Sequence, residues 1–408
     1  MVGQNILKQE VVVTYKNNNL KYLVGGKNIS NFSLPPFANI ICDFLGELSK
    51  ELNLDKSTEK YPDIKALAFW CRKQKILNYK KTFITKEIRL GLGLIFHITP
   101  SNIPTNFAYS LIFGLITGNS NIVKVPSKNF EQVTIICKAI NKLIKKKFKK
   151  LSKMISIVRY SDYEKFTKEI SEKCNARIIW GGDKTIKDIR KYPLSVRSFD
   201  ITFADRYSLC VINSNELAKV NSTELRRLSE RFYNDTYLVD QNACSSPHVI
   251  LWQGTKINIA KKMFWKSVEE IVRSKYILTD SVSMNKYTQL CSEILSNKNI
   301  NKIKKYNNFI YTISLKKLDK NLHNLRGKWG IFFEHDLVSL DKIKDYINNK
   351  YQTLTYWGLK KEKLENFIKK NCTNGIDRIV PIGQALDINF FWDGYDLNKV
   401  LTRVIDLK

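Results

Sequence analysis

Residues 94–128 read LIFHITPSNIPTNFAYSLIFGLITGNSNIVKVPSK, and their pattern decides the fold. A short apolar run (94–98) leads into a loop bracketed by Pro100 and Pro104. A continuous apolar period (106–117), a glycine stop at Gly118 and a second apolar run (121–125) follow. Two strand-like runs joined by a helix-length segment make a βαβ unit, because parallel strands need a long crossover. Working outwards, the alternation continues to residue 212. Further strand candidates are 155–159 (ISIVR), 176–180 (ARIIW) and 208–212 (SLCVI), with helical periods at 130–148, 162–172 and 183–191. In the first of these helices Val133, Ile136, Cys137, Ile140 and Ile144 share one face. The reading predicts an α/β chain with a mostly parallel, doubly wound sheet, a fold that binds nucleotides at the carboxyl ends of its strands. The dinucleotide fingerprint is missing: Gly91-Leu92-Gly93 precedes a strand, and no third glycine follows.

Beyond residue 212 the pattern changes, and the best boundary lies at 213–221. A basic helix (222–233) runs into NDTYLVDQNACSSPHVILW (234–252), whose apolar end is a strand. Helical segments at 261–275 and 285–297, a Lys/Asn-rich strip at 297–308 and an aromatic tail, FFWDGYDL, complete the chain.

Composition narrows the function classes. With 408 residues, 43% hydrophobic and 26% charged, the chain is globular rather than disordered or fibrous. The 8 cysteines are scattered without a C-x-x-C pair and only 4 histidines are present, so neither a zinc ribbon nor a disulfide framework is expected. No metal site is predicted. The opening MVGQNILKQEVVVTYK lacks an apolar leader core, and the charge-free window 90–123 is broken by prolines and asparagines, so a cytoplasmic protein without a transmembrane span is expected. The net charge of +30 fits either a phosphate-rich partner or a Lys-biased composition. Lysines crowd 138–153, but they interleave with Ile140, Leu143 and Ile144 and read as the wet face of an amphipathic helix. A nucleic-acid partner is not expected.

Three segments hold residues that packing does not require. The proline-stiffened loop after residue 98 aims Asn102, or is a plain strand-to-helix turn. Lys124 interrupts a buried strand, which is costly unless its ammonium reaches an anion or an opening. Ser127 and Lys128 follow it at the strand's carboxyl end. In DQNACSSP (240–247) Cys244 alone of the cysteines lies among small polar residues, where backbone donors could lower its pKa and make it a nucleophile.

These segments, with ARIIWGGDKTI, DITFADRYSL, FYNDTYLVDQNACSSP, RIVPIGQALD and WDGYDL, resemble in this order the fatty acyl-CoA reductases of bacterial bioluminescence operons, a branch of the aldehyde dehydrogenase superfamily. The resemblance spans about residues 60–404. It implies an aldehyde-dehydrogenase-like α/β fold: an extension at 1–60, a Rossmann-like cofactor domain at 61–212 and a second α/β catalytic domain at 213–385. A tail at 386–408 would return to the cofactor domain or to an oligomer interface. The superfamily's P-W-N-F-P loop matches P-S-N-I-P and places an oxyanion donor on Asn102; the nucleophile falls on Cys244. The nucleotide strand ending K-P-S-E matches Lys124–Ser127, with Lys128 where NAD-selective members carry glutamate, so NADPH is the implied cofactor. Gly181 and Gly182 match the turn beside the pyrophosphate.

One departure is informative. The glutamate of L-E-L-G-G-K, which activates water in hydrolytic members, is replaced by Thr202, so the site suits exchange with coenzyme A rather than release of free acid. The implied activity is NADPH-dependent reduction of an acyl-CoA, or another acyl thioester, to an aldehyde. The donor is an acyl-CoA or acyl-protein, with an acyl-protein synthetase as a candidate partner, and the superfamily implies a homo-oligomer. A non-redox acyltransferase or thioesterase using Cys244 is the alternative from the residues themselves, and a basic nucleic-acid binder the remoter one.

Overall fold

The computed structural model describes residues 10–12 (backbone only), 20–83, 87–161 and 164–408. The chain divides into two units, Met1–Ala204 with Tyr395–Lys408, and Asp205–Gly394.

The described part of the first unit begins with β1 (Glu10–Val12), β2 (Lys21–Val24) and β3 (Asn28–Ser30), then helices α1 (Asn39–Leu54), α2 (Pro62–Trp70) and α3 (Lys73–Thr82). After β4 (Ile88–Gly91) come β5 (Leu94–Ile98), α4 (Asn106–Ile116), β6 (Ser120–Lys124), α5 (Glu131–Lys146), β7 (Ile155–Arg159), α6 (Glu164–Lys173), β8 (Ala176–Trp180), α7 (Asp183–Arg190) and β9 (Phe199–Phe203). Among the described residues a six-stranded sheet has the order β2-β7-β6-β5-β8-β9, parallel except for β2. The chain winds from β5 outwards to β7, then returns to the other side of β5 with β8. That reversal makes the carboxyl ends of β5 and β8 a topological switch point, the place where doubly wound folds bind ligands.

Both faces of β5 and β6 are covered, so these strands read as unbroken apolar runs. Helix α4, buried along almost its whole length, accounts for the charge-free window. Helix α5 buries Val133, Ile136, Cys137, Ile140 and Leu143, while Lys142 and Lys147 pair with Glu51 and Glu47 of α1. The lysine patch is therefore partly neutralised, with Lys138, Lys142, Lys145 and Lys146 on the solvated face of α5 and Lys149, Lys150 and Lys153 in the short 3-10 turn that follows.

A polar thread crosses this apolar core. The Trp180 indole N–H donates to Ser110 Oγ (3.0 Å), and the Ser110 hydroxyl meets His97 Nδ1 (2.7 Å). His97 Nε2 meets Asn121 Oδ1 (2.9 Å), and the Asn121 amide donates to the Asn119 carbonyl (2.7 Å). With its hydroxyl oxygen accepting from Trp180, Ser110 gives its proton to Nδ1, so the ring proton sits on Nε2. Burial holds the imidazole neutral, its pKa pushed down to about 4. Gly114 leaves room for this contact, since a Cβ there would lie 1.8 Å from Asn121 Oδ1.

The second unit contains β10 (Tyr207–Asn213), α8 (Ser214–Leu217), α9 (Ser222–Thr236), β11 (Pro247–Gln253), α10 (Ile257–Lys275), α11 (Asp280–Ser296), β12 (Ile300–Tyr306), β13 (Ile310–Leu315), β14 (Ile331–Leu337), β15 (Tyr351–Trp357), α12 (Lys361–Asn371) and β16 (Arg378–Pro381). Among the described residues its sheet has seven strands in the order β12-β13-β14-β11-β10-β15-β16, parallel except for the β12–β13 pair. Alternate residues of β11 feed two cores. Ile250 and Trp252 pack with Phe232 of α9 and Phe264 of α10, whereas Val249 and Leu251 pack with Leu290 of α11 and Phe367 of α12.

Three boundaries differ from the sequence reading. The strand expected at 208–212 as the end of the first sheet is β10, an interior strand of the second, because both its neighbours come from later chain. The second unit therefore starts at Asp205, not at 213. The last strand of the first sheet is β9, FDITF, where Asp200 pairs with buried Arg177 (2.7 Å). The segment expected as a separate extension, 1–60, contributes β2 to the first sheet and α1 to its cover, so its described part is integral to that unit. Of the expected tail, 386–394 stays with the second unit. Thr402–Ile405 pairs with β4 in the first.

Candidate active site

Cys244 lies in the loop between α9 and β11. The loop is entered through Asp240 (φ 52°) and Gln241 (φ 58°), both in the left-handed region that side chains other than glycine avoid. Side chains hold this strain in place. Gln241, fully buried, accepts from the Gly330 N–H (2.7 Å) and donates to the Ile331 carbonyl (3.2 Å), tying the loop to the start of β14. The Tyr276 hydroxyl donates to Asp240, and the Ser246 hydroxyl donates to the Asp235 carbonyl (2.7 Å). Directly at the cysteine, the Ser208 hydroxyl donates to its carbonyl (2.7 Å). Two strands and two helix ends thus hold the loop that carries the cysteine.

The Cys244 side chain is half-buried. Gln352 of β15, itself buried, donates through Nε2 to Cys244 Sγ (3.4 Å) and to Asp393 Oδ1. Arg206 lies 3.8 Å from Asp393 and also pairs with Asp377. The lowered thiol pKa expected for a cysteine in a polar turn is not found: burial, reinforced by the Asp393 charge, pushes the Cys244 thiol up to about 12. Burial also raises Asp393, to about 6, against the pull of Arg206. Among the other cysteines, Cys42, Cys71, Cys137, Cys174 and Cys210 are buried and Cys372 is exposed.

The remaining expected site residues gather at one end of the first unit's sheet. Asn102 is exposed in the loop that leaves β5. Lys124 ends β6 and is buried, its ammonium 5.3 Å from the Tyr160 ring centroid. Ser127 donates to the carbonyl of the same Tyr160 (3.3 Å), and Lys128 is exposed over the Phe130 ring at 5.3 Å. Gly181 follows β8, its N–H donating to the Phe203 carbonyl (3.1 Å), and Gly182 caps α7. A Cβ at Gly182 would meet nothing within 4 Å, so the start of α7 is open. The structure thus brings Asn102, Lys124, Ser127, Lys128, Gly181 and Gly182 to the carboxyl ends of adjacent strands, and places Cys244 in the second unit. Among the described residues, no group of three or more His, Cys, Asp and Glu side chains is placed to hold a metal ion.

Sequence reasoning missed Gln352, Asp393 and Arg206. Asp393 lies in the quoted string WDGYDL, and a buried glutamine in the otherwise apolar and hydroxyl-bearing run YQTLTYW was the available signal for Gln352.

Residues 47–403 match the protein family described as Acyl-CoA reductase (LuxC). No curated protein matches the chain. Among solved structures, lactaldehyde dehydrogenase from Escherichia coli superposes with a TM-score of 0.63 at 11% identity, covering 97% of this chain and 98% of that one. Aldehyde dehydrogenase 21 from Physcomitrella patens, in complex with succinate, gives 0.61 at 10% identity, covering 90% and 85%. An indole-3-acetaldehyde dehydrogenase complexed with NAD+ gives 0.57 at 11% identity, covering 90% and 81%. The fold is that of the aldehyde dehydrogenases.

Proposed function

Because the chain belongs to the acyl-CoA reductase family (LuxC), we propose that this oxidoreductase reduces a fatty acyl-CoA, or another acyl thioester, to an aldehyde with NADPH, by way of a thioester on Cys244. The observation that carries the reading is the thiol itself. It is half-buried on a strained, cross-braced loop, with an amide N–H directed at its sulfur. The Cys244 sulfur attacks the thioester carbon and its proton leaves with the coenzyme A thiol. Asn102 and the Cys244 backbone N–H are assigned to the developing oxyanion, the interaction that contributes most in such acyl transfers. A nicotinamide cofactor, when bound, supplies the hydride that takes the acyl carbon to the aldehyde level. With one proton taken up from solvent, collapse of the resulting thiohemiacetal returns the thiol and frees the aldehyde.

The residues of the first unit fit such a cofactor. The open start of α7 at Gly182 suits phosphate oxygens, which bind readily at helix N-termini. Lys124 is buried at the end of a central strand, where its ammonium suits ribose hydroxyls, and exposed Lys128 suits a 2′-phosphate. Thr202 lies half-buried in β9 and offers no carboxylate to activate water. That favours transfer to coenzyme A or to hydride over hydrolysis. An acyl-protein donor with its synthetase, a homo-oligomer and a cytoplasmic setting belong to the same reading. Among the described residues, no helix is long and apolar enough to cross a membrane.

The test is the absorbance of NADPH followed with a panel of acyl-CoA thioesters, with aldehyde and free coenzyme A measured as products. Consumption of NADPH matched by both products is expected. Release of free acid without NADPH consumption would mean a thioesterase.

A further inference from the structure

Gln352 is the one side-chain donor that the structure directs at the Cys244 sulfur among the described residues, and its orientation is fixed from behind. A glutamine amide can present either its NH2 or its oxygen, and the two have opposite effects on a thiol: N–H stabilises a thiolate, whereas C=O holds the proton on sulfur. Here the choice is made by neighbours. Asp393 accepts from Nε2, and the Thr353 hydroxyl donates to Oε1 (3.3 Å), so the NH2 group faces both the carboxylate and the sulfur. Gln352 is buried, the Asp393 side chain is almost wholly so, and Arg206 keeps the carboxylate company at 3.8 Å. The charged groups around the sulfur are Asp205 and Arg206 ahead of β10, Arg378 on β16 and Asp393. Two of these are acids. Burial and Asp393 both disfavour the thiolate, so a directed N–H donor works against them.

We propose that Gln352 is a positioning residue for the nucleophile: locked by Asp393 with its NH2 toward Cys244, it stabilises the thiolate and aims the sulfur. This rests on the reading of Cys244 as the nucleophile and adds to it the group that makes a half-buried thiol usable. Asp393 then has two opposed effects. Its charge raises the thiol, and its lone pairs hold the amide in the orientation that lowers it.

The test is alkylation of the full-length protein by iodoacetamide at fixed pH, read by peptide-resolved mass spectrometry as the rate at Cys244 divided by the rate at exposed Cys372 in the same sample. Three variants of similar length change the group facing the sulfur. Gln352→Met removes the donor and should lower the ratio about tenfold, the effect of one hydrogen bond to a charged group. Gln352→Glu replaces a donor by an acceptor and should lower it further. Gln352→Lys keeps a donor, adds a cation and should raise the ratio above that of the unmodified protein. A purely structural role would loosen the site and move all three the same way; that result, or unchanged ratios, overturns the proposal. Failure of the underlying reading shows separately, as absence of an acyl adduct on Cys244 in the unmodified protein.

Discussion

Acidification should weaken the first unit through His97, by an amount set by its burial. The ring is held neutral, with its pKa pushed down to about 4 from an ordinary 6.5, and its Nδ1 already accepts from Ser110. A second ring proton would face a hydroxyl whose oxygen is occupied by Trp180. As pH falls through 6.5 the unfolded chain binds a proton that the folded one refuses. The unfolded state therefore binds more protons between 6.5 and 4, and stability drops across that window. The full span corresponds to about 3 kcal/mol, and about 2 kcal/mol of it should be gone at pH 5. Asp235, raised by burial to about 7, works in the opposite sense but lies in the second unit. The assay is hydrogen exchange of peptides from β5 and β6 at pH 7 and pH 5, corrected for intrinsic rates, in the unmodified protein and in His97→Asn. The variant keeps an acceptor toward Ser110 and loses the titrating ring. It should start from lower stability and lose about 2 kcal/mol less on acidification. Equal losses in both proteins would refute the argument that His97 is held neutral by its site.

Three further outcomes are expected. Asn102→Ala should lower turnover by roughly 10²–10³, the effect of deleting one oxyanion donor, with NADPH affinity unchanged by fluorescence titration; an intact rate would reduce the P-S-N-I-P loop to a structural turn. Lys128→Glu should remove or reverse a preference for NADPH over NADH of roughly one to two decades in kcat/KM, since a charge-assisted bond to the 2′-phosphate is exchanged for repulsion. An unaltered ratio would show that Lys128 points elsewhere. Gly114→Ala should cost about 1–3 kcal/mol in urea unfolding, because its Cβ would lie 1.8 Å from Asn121 Oδ1 and the polar thread would have to shift.

The strands β5, β7 and β8 and helices α4 to α7 were legible to within a residue or two, because each carries its own periodicity and is bounded by glycine, proline or a cap. Strand β10 was legible as a strand but not as a member of the second sheet. Its seven residues are buried almost throughout, as those of β5 are, and nothing in SLCVI says which later strands will flank it. Strand β9 was missed because half of FDITF faces away from the core, and its Asp200 reads as a loop residue until Arg177 supplies the partner. The loop around Cys244 stood out by composition. What surrounds its sulfur did not: Gln352 and Asp393 lie more than a hundred residues further on, and Asp393 has no strand or helix pattern of its own. The thiol's raised pKa is a property of that assembled environment, which the local string DQNACSSP cannot carry.

The central claim is that Cys244 carries the acyl group. Incubating the protein with an acyl-CoA in the absence of NADPH, and mapping adducts by peptide mass spectrometry, tests it most directly. The account predicts an added acyl mass on the Cys244 peptide alone, release of one coenzyme A for each acylated chain, and discharge of the adduct as aldehyde when NADPH is added. An adduct on another cysteine, or full aldehyde formation by Cys244→Ala, would contradict it.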